Sequence, residues 1–317
     1  MQLNAITRKS ALMAILLLVA ILVAAALRYA LAPNVVELAN SEYAERTISL
    51  VMAMILFLLG GIIEGKILPR SGLSKGYCAL PIPLYGVLSC GLFVAPHTLT
   101  AASASLLLAW ALYLLLRSLH NAGEKDSVFF ASIMLGATVL LYPPCVVFVA
   151  VIPLAIFILA LSLRQAILMV AGYLLPLFGA SYAMWYRGDD FTALARNIFD
   201  ALASSRMGEI SAFPYLAAVI AVAVVALLVW GGIYAAARPD KMFSLTRVRR
   251  SLHLFVWLFA VALSMLLIPS VDLSAIAVIA VPTTILLSFV LSLLPNNHST
   301  IAYWVLLLLF VVHLVVM

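Results

Sequence analysis

The chain has 317 residues, of which 66% are hydrophobic and 9% are charged, and its formal net charge is +6. A soluble domain is about 45–50% apolar, and surface-to-volume scaling leaves a chain of this length too much surface to hide such an excess from water. The mean hydropathy of +1.21 therefore excludes a soluble globular protein and indicates a lipid environment. Helices are expected there, because a backbone in hydrocarbon must satisfy its own hydrogen bonds.

Long apolar runs alternate with short polar connectors along the chain. A helix that crosses a bilayer needs about 20 mostly apolar residues. We expect an all-α fold, a single integral membrane domain over residues 1–317 with about eleven spans, within a range of ten to twelve. The sequence leaves open whether the last of them crosses. The predicted spans are 11–31, 47–63, 79–95, 101–119, 127–142, 144–162, 165–185, 214–236, 252–268, 273–294 and 300–317.

The charged residues are sorted by side of the predicted membrane. Assigned to alternate connectors, 13 of the 18 Lys and Arg fall on one side together with four acidic residues, among them Glu64. The other side holds five Arg and eight acidic residues, so the two sides carry +9 and −3, which sum to +6. Lys and Arg near span ends resist translocation. The pattern predicts a multi-pass protein of the bacterial inner (cytoplasmic) membrane with a cytoplasmic N-terminus.

The N-terminal stretch MQLNAITRKS precedes an apolar run from Ala11 to about Ala26. Such a start is compatible with a signal peptide. The run is long for that purpose and leads directly into further spans, which favours an uncleaved first helix.

One long polar connector, from Asp189 to Arg206, lies on the acidic side. Its apolar residues recur at helical spacing, and the aspartates at its start suit a helix N-terminus. This pattern predicts an amphipathic helix near 190–206 on the outer membrane surface. It either covers the bundle or forms a lid over a site at that face. The apolar positions are Phe191, Leu194, Ala195, Ile198, Phe199 and Leu202.

The fifth and sixth spans meet at Tyr142-Pro143-Pro144 with almost no loop. Proline lacks a backbone donor and restricts the residue before it, so a helix must break there. Either a tight turn at the outer interface or a re-entrant hairpin satisfies this break, and the turn is favoured.

Two motifs of known chemistry are absent from the sequence, namely the phosphate-binding GxxxxGK[ST] and the zinc-binding HExxH, and Cys78, Cys90 and Cys145 show no metal-binding spacing. We therefore predict no cofactor and no metal, and read the cysteines as small core residues. The basic connectors suit anchoring at a membrane surface and give no sign of nucleic-acid binding.

Candidate site residues lie at the predicted outer face. Glu37, Glu42 and Glu45 form an acidic first outer loop in which a carboxylate is a candidate catalytic base on a lipid-linked substrate. Arg28 and Arg187 are the candidate substrate-binding residues, as phosphate contacts. The predicted span interiors are almost empty of ionisable residues, which argues against a proton-driven pump.

Part of the chain, about residues 60–186, resembles an uncharacterised family of Bacteroidota multi-spanning inner-membrane proteins, a domain of unknown function. The resemblance is carried by GLSKGYCALPIPLYGVLS, by the KDSVFFA entry, by the YPP break where members commonly carry Phe-Pro, and by LRQAILMVAGYLLPLF. It implies no known activity. The layout is also distantly similar to the membrane domain of polyprenol-phosphate-sugar glycosyltransferases, but lacks their acidic pair at the end of the first span.

Three functions stay open at this point. The favoured prediction is a non-enzymatic scaffold or partner subunit in cell-envelope biogenesis, with membrane lipids and another envelope protein as partners. The alternative is a reduced glycosyltransferase that acts on a polyprenyl-phosphate lipid. The third is a passive transporter of a hydrophobic or lipid substrate.

Overall fold

The computed structural model describes residues 11–31, 40–71, 73, 79–90, 98–120, 125–204, 246–268, 270–271, 274–294 and 296–316. Within these ranges every regular element is helical and no strand occurs. Five helical stretches are long and apolar enough to cross a membrane, namely Thr47–Arg70, Leu99–Ser118, Leu163–Tyr186, Val248–Leu267 and Ala275–Leu293. The all-α prediction is therefore confirmed.

The first part of the chain forms six α-helices and one 3₁₀ helix. The α-helices are α1 (Ala11–Leu31), α2 (Asn40–Arg70), α3 (Pro81–Cys90), α4 (Thr98–His120), α5 (Lys125–Leu141) and α6 (Val151–Leu159). The 3₁₀ helix, Pro143–Ala150, leads directly into α6.

The rest of the described chain adds five α-helices. These are α7 (Leu163–Tyr186), α8 (Ala193–Ala203), α9 (Thr246–Ser264), α10 (Ala275–Leu293) and α11 (Asn296–Val316). A short 3₁₀ helix, Met265–Leu267, extends α9. The predicted span 214–236 lies outside the described residues.

Helix α10 is the core of the bundle. All its residues from Ala275 to Leu291 except Ile276 are buried, as expected for a helix that is apolar on every side. Pro282 interrupts its hydrogen bonding, and Thr283 and Thr284 donate to the carbonyls of Ile279 and Ala280 at 2.7 and 2.5 Å. These hydroxyls help to satisfy the backbone around the proline, so α10 stays helical.

Glycines bring the helices around this core into close contact. The side chain of Leu18 in α1 lies between Gly61 of α2 and Gly86 of α3, where added Cβ atoms would lie 2.6 and 2.5 Å from its methyl groups. A Cβ at Gly136 of α5 would overlap the Tyr173 carbonyl of α7. Small residues that allow such approach are typical of helix contacts in membranes.

Helices α5 and α7 run in the same direction, so the segment between them must return along the bundle. Gly172 packs near Phe129 and Ser132, and Gly136 packs near Tyr173 and Pro176, so residue numbers rise together on both helices. The return segment, Pro143–Leu159, spans about 30 Å, because a 3₁₀ helix rises about 2 Å per residue and an α-helix about 1.5 Å. That length matches the hydrocarbon thickness of a bilayer.

The break at Tyr142-Pro143-Pro144 is a direct reversal between α5 and the 3₁₀ helix. Tyr142 has an extended backbone (φ −139°, ψ 96°) and its carbonyl accepts from the Cys145 amide at 2.9 Å. The predicted helix break is confirmed. Its geometry fits a tight turn, and its place relative to the bilayer stays a prediction.

Candidate functional site

The most unusual polar group in the bundle is the carboxyl of Glu64. Its side chain is completely inaccessible to solvent, and neither carboxyl oxygen has a hydrogen-bond partner among the described residues. It lies on the buried face of α2, which is lined by Phe57, Gly60, Gly61 and Ile67. A polar group placed in this way within a membrane helix is a candidate functional residue.

Glu64 was placed in a connector after a span ending near residue 63, and that placement is wrong, because the candidate span continues to Arg70; the side of the membrane stays a prediction. Helix α2 continues to Arg70, because Ile67 and Leu68 extend its buried face by another turn. A hydropathy profile registers Glu64 as the end of an apolar run. The helical spacing of Gly60, Gly61, Glu64 and Leu68 is the signal that identifies it as an inward position.

A pair of buried hydroxyl groups lies one helical turn away from the carboxyl. Tyr85 of α3 and Ser105 of α4 share a hydrogen bond of 2.9 Å. An added Cβ at Gly60, four residues before Glu64, would lie 2.9 Å from the Tyr85 hydroxyl. The three helices α2, α3 and α4 therefore meet around a polar pair and a carboxyl.

On the other side of Glu64 lies Arg70, at the end of α2. Its guanidinium carbon lies 4.5 Å from the ring centroid of Tyr113 in α4, a distance at which a cation is attracted to the ring face. Its Nη1 atom is buried without an acceptor in the described part of the chain. Gly60 of α2 lies near Ser105 of α4, through Tyr85, and Arg70 of α2 lies near Tyr113 of α4. Residue numbers therefore rise together on α2 and α4, so these helices also run in the same direction.

The outer predicted candidates are only partly described. Glu37 lies outside the described residues. Arg28 is in α1, and Glu42 and Glu45 are in α2, but their side chains lie outside the described part. The prediction that Glu42 and Glu45 lie in the first outer loop is wrong, because α2 already begins at Asn40 and includes both residues.

Arg187 is described and exposed, at the C-terminal end of α7. Gly188, with φ +103°, follows it and turns the chain away from the helix. The structure does not bring Arg187 together with another predicted site residue within the described ranges.

The helix predicted near 190–206 is confirmed as α8, although its described bounds are shorter, and its place on the outer membrane surface stays a prediction. Ile198 packs partly against the core and Phe199 is 70% exposed, so its apolar face is shared between the bundle and its surroundings. Asp190 and Arg196 form an exposed ion pair at 3.2 Å. Such a pair contributes little to stability.

Aromatic side chains cluster toward the C-terminal end of α7, beside α8. The Phe178 and Phe191 rings lie 6.3 Å apart, and the Tyr182 and Trp185 rings 5.7 Å apart. Tyr and Trp are enriched at membrane–water interfaces. The end of α7 with its surface helix thus has the composition of an interface.

Comparisons with known proteins found no match to this chain. No protein-family model matches the chain, no curated protein does, and no solved structure does. The resemblances to a Bacteroidota family and to glycosyltransferase membrane domains stay predictions.

Proposed function

We propose that the chain is a multi-pass protein of the bacterial cytoplasmic membrane with about eleven spans and a cytoplasmic N-terminus. The five long apolar helices support the membrane assignment. The segments that complete the proposed number include three shorter apolar helices, Ala11–Leu27, Asp126–Leu141 and Pro143–Leu159. The excess of Lys and Arg in alternate connectors supports the orientation.

We further propose that the protein acts as a non-enzymatic scaffold or partner subunit in envelope biogenesis. One observation carries this proposal, namely that within the described part of the chain α7 packs against the bundle on one face only. Gly172 and Tyr173 are buried against α5. Only 17% of the apolar stretch of α7 is buried, which is the lowest share among the five long helices.

The free face of α7 has the features of a helix-binding surface. Phe178 and Tyr182 are 56% and 59% exposed on it, and no atom of the described residues lies within 4 Å of the position of a Cβ at Gly179. Glycine between large side chains lets another helix backbone approach closely, which is how helices associate in lipid. The proposed occupant is a transmembrane helix of another envelope protein.

Crosslinking in intact cells tests this proposal. A photo-reactive amino acid at Phe178 is expected to give one protein adduct of discrete mass. The matched control is Leu27 of α1, which is 58% exposed and lies at a similar distance from the start of its helix, and we expect lipid adducts there.

A second substitution ties the adduct to the close approach at Gly179. A Cβ at Gly179 has no neighbour within 4 Å among the described residues, so with Gly179→Leu the fold should persist while the adduct at Phe178 disappears. Equal lipid labelling at Phe178 and Leu27, with no protein adduct, would contradict the partner-subunit proposal.

The two other functions have their own tests. A glycosyltransferase requires the outer carboxyl groups, so the combined change of Glu37, Glu42 and Glu45 to Gln should abolish transfer from a polyprenyl-phosphate sugar by the purified protein. A passive transporter should release a hydrophobic substrate from vesicles without a partner. The exposed face of α7 favours the partner subunit over both.

A further inference from the structure

We propose that Glu64 is a proton-binding site, a carboxyl that holds a proton inside the bundle and exchanges it only when the packing of α1, α2 and α3 loosens. The proposal depends on the surroundings of Glu64 alone. It stands or falls separately from the partner proposed for α7.

The first step of the argument is the energy of a buried charge. An ionised carboxylate removed from water without a partner is strongly destabilising, whereas a neutral carboxylic acid loses far less on burial. Glu64 is fully buried and its two oxygens have no donor among the described residues. The side chain therefore needs a bound positive species or a proton to occupy this position.

The second step identifies the occupant. A divalent cation takes about six or more oxygen ligands, and no group of three His, Cys, Asp or Glu fit to hold a metal occurs in the described ranges. The nearby hydroxyl groups of Tyr85 and Ser105 are bonded to each other. A proton needs one oxygen and no extra volume, and so fits the dense packing at Gly60 and Gly61.

The third step concerns the charged groups on the elements that pack against α2, which are α1, α3, α4 and α10. Helix α10 has no titratable side chain. Lys66 on α2 itself is exposed, and the Arg70 guanidinium lies over the Tyr113 ring. None of the described basic groups forms an ion pair with Glu64. The other titratable residues of these elements are Arg28, Tyr29, Glu42, Tyr43, Glu45, Arg46, Tyr85, Cys90, Arg117 and His120.

The position of Glu64 also suggests how the proton exchanges. Glu64 lies six residues before Arg70, about 9 Å along the helix, and this end of α2 is the one assigned to the cytoplasm. Gly61, one turn before Glu64, receives the methyl group of Leu18. This contact lies on the side of Glu64 away from Arg70, so water from the end assigned to the cytoplasm would reach the carboxyl past the last turns of α2, when the packing around them loosens.

Infrared spectroscopy of the purified full-length protein in lipid nanodiscs tests the proposal. The difference spectrum between the wild type and Glu64→Gln at neutral pH should contain the C=O stretch of a protonated carboxylic acid. Asp126→Asn serves as the control, because Asp126 is exposed at the start of α5, so its replacement should leave the acid band assigned to Glu64 unchanged.

The outcomes separate the possible occupants. Since Gln resembles a protonated acid in shape and charge, Glu64→Gln should keep its unfolding midpoint within about 2 °C of the wild type, a change below about 1 kcal/mol. A carboxylate band for Glu64 would overturn the proposal. So would loss of the acid band when sodium chloride replaces choline chloride, because that loss identifies a bound metal cation.

If Glu64→Gln does not fold, the wild type with ¹³C-labelled glutamate gives the same answer. The shifted acid band must then be present at neutral pH and vanish only on unfolding. A labelled protein without that band would equally overturn the proposal.

Discussion

The hydroxyl groups of Tyr85 and Ser105 are joined by a hydrogen bond of 2.9 Å that links α3 to α4, and α2 packs directly against this pair through Gly60. The Ser105 hydroxyl also donates to the Ala102 carbonyl at 2.8 Å, so the contact is anchored in the backbone of α4. The Tyr85 ring further packs beside Phe57 of α2, with centroids 6.1 Å apart. The Tyr85 side chain of α3 therefore contacts both α2 and α4.

Substitution of Gly60 by Ala should destabilise the bundle by about 1–3 kcal/mol, the usual result of overpacking. The added methyl would lie 2.9 Å from the Tyr85 hydroxyl oxygen and 3.1 Å from Cε1. The loss should be smaller when Tyr85→Phe is also present, because the nearest atom is then removed. Unfolding of the four proteins in detergent measures this coupling.

Gly179→Ala is the matched control for Gly60→Ala. It also lies within a helix, but no atom in the described part of the chain lies within 4 Å of the added group, so it should be neutral or stabilise by up to about 1 kcal/mol through helix propensity. Equal destabilisation by the two changes would contradict the packing described at Gly60.

Removal of the Leu18 side chain should weaken the contact between α1, α2 and α3. Leu18 is fully buried between Gly61 and Gly86, and Leu18→Ala should destabilise the protein by about 2–5 kcal/mol, as do other cavities of this kind. Gly86→Val added to Leu18→Ala should recover part of the loss by filling the space. Leu12→Ala is the control, because Leu12 is 68% exposed on the same helix.

Replacement of Ala160 by Gly should stabilise the protein by about 0.5–1 kcal/mol. Ala160 ends α6 in the left-handed region at φ 51°, where a side chain is unfavourable and glycine is preferred. Ala166→Gly, within α7, should instead destabilise by about 1 kcal/mol. Thermal unfolding in detergent compares the two, and the same sign for both would contradict this geometry.

Reporter fusions test the orientation. A fluorescent protein fused after Arg250 should fold and fluoresce, because Arg250 lies at the start of α9, in a basic stretch assigned to the cytoplasm. Alkaline phosphatase fused after Gly188, at the end of α7, should be active because that end is assigned to the outside. Activity of alkaline phosphatase after Arg250 would reverse the proposed topology.

Much of the helical layout was accessible from hydropathy. The predicted first span, 11–31, coincides with α1, and the predicted spans 165–185 and 273–294 differ from α7 and α10 by one or two residues at each end. The length of an apolar run directly indicates the length of the helix and an apolar environment around it. The start of α2 was missed because residues 40–47 are mostly polar, and a polar stretch before an apolar run is typical of a loop.

The candidate site was less accessible for a different reason. A hydropathy profile averages neighbouring residues along the chain. The burial of Glu64 depends instead on the face of α2 that it occupies and on the side chains of α3 and α4 that pack against α2. The contact of Gly60 with Tyr85 joins residues far apart in sequence, and no local pattern carries such a contact. The outer candidates, by contrast, were chosen for charge alone.

The central place of α10 has a consequence for how the protein is made. Helix α10 is buried against α3, α4 and α9, yet the ribosome synthesises it long after α3 and α4. Until α10 leaves the ribosome, the earlier helices have no partner for the faces that it later covers. The nascent chain must then wait in the bilayer as a partly assembled group of helices, held by lipid, by the insertion machinery or by a chaperone.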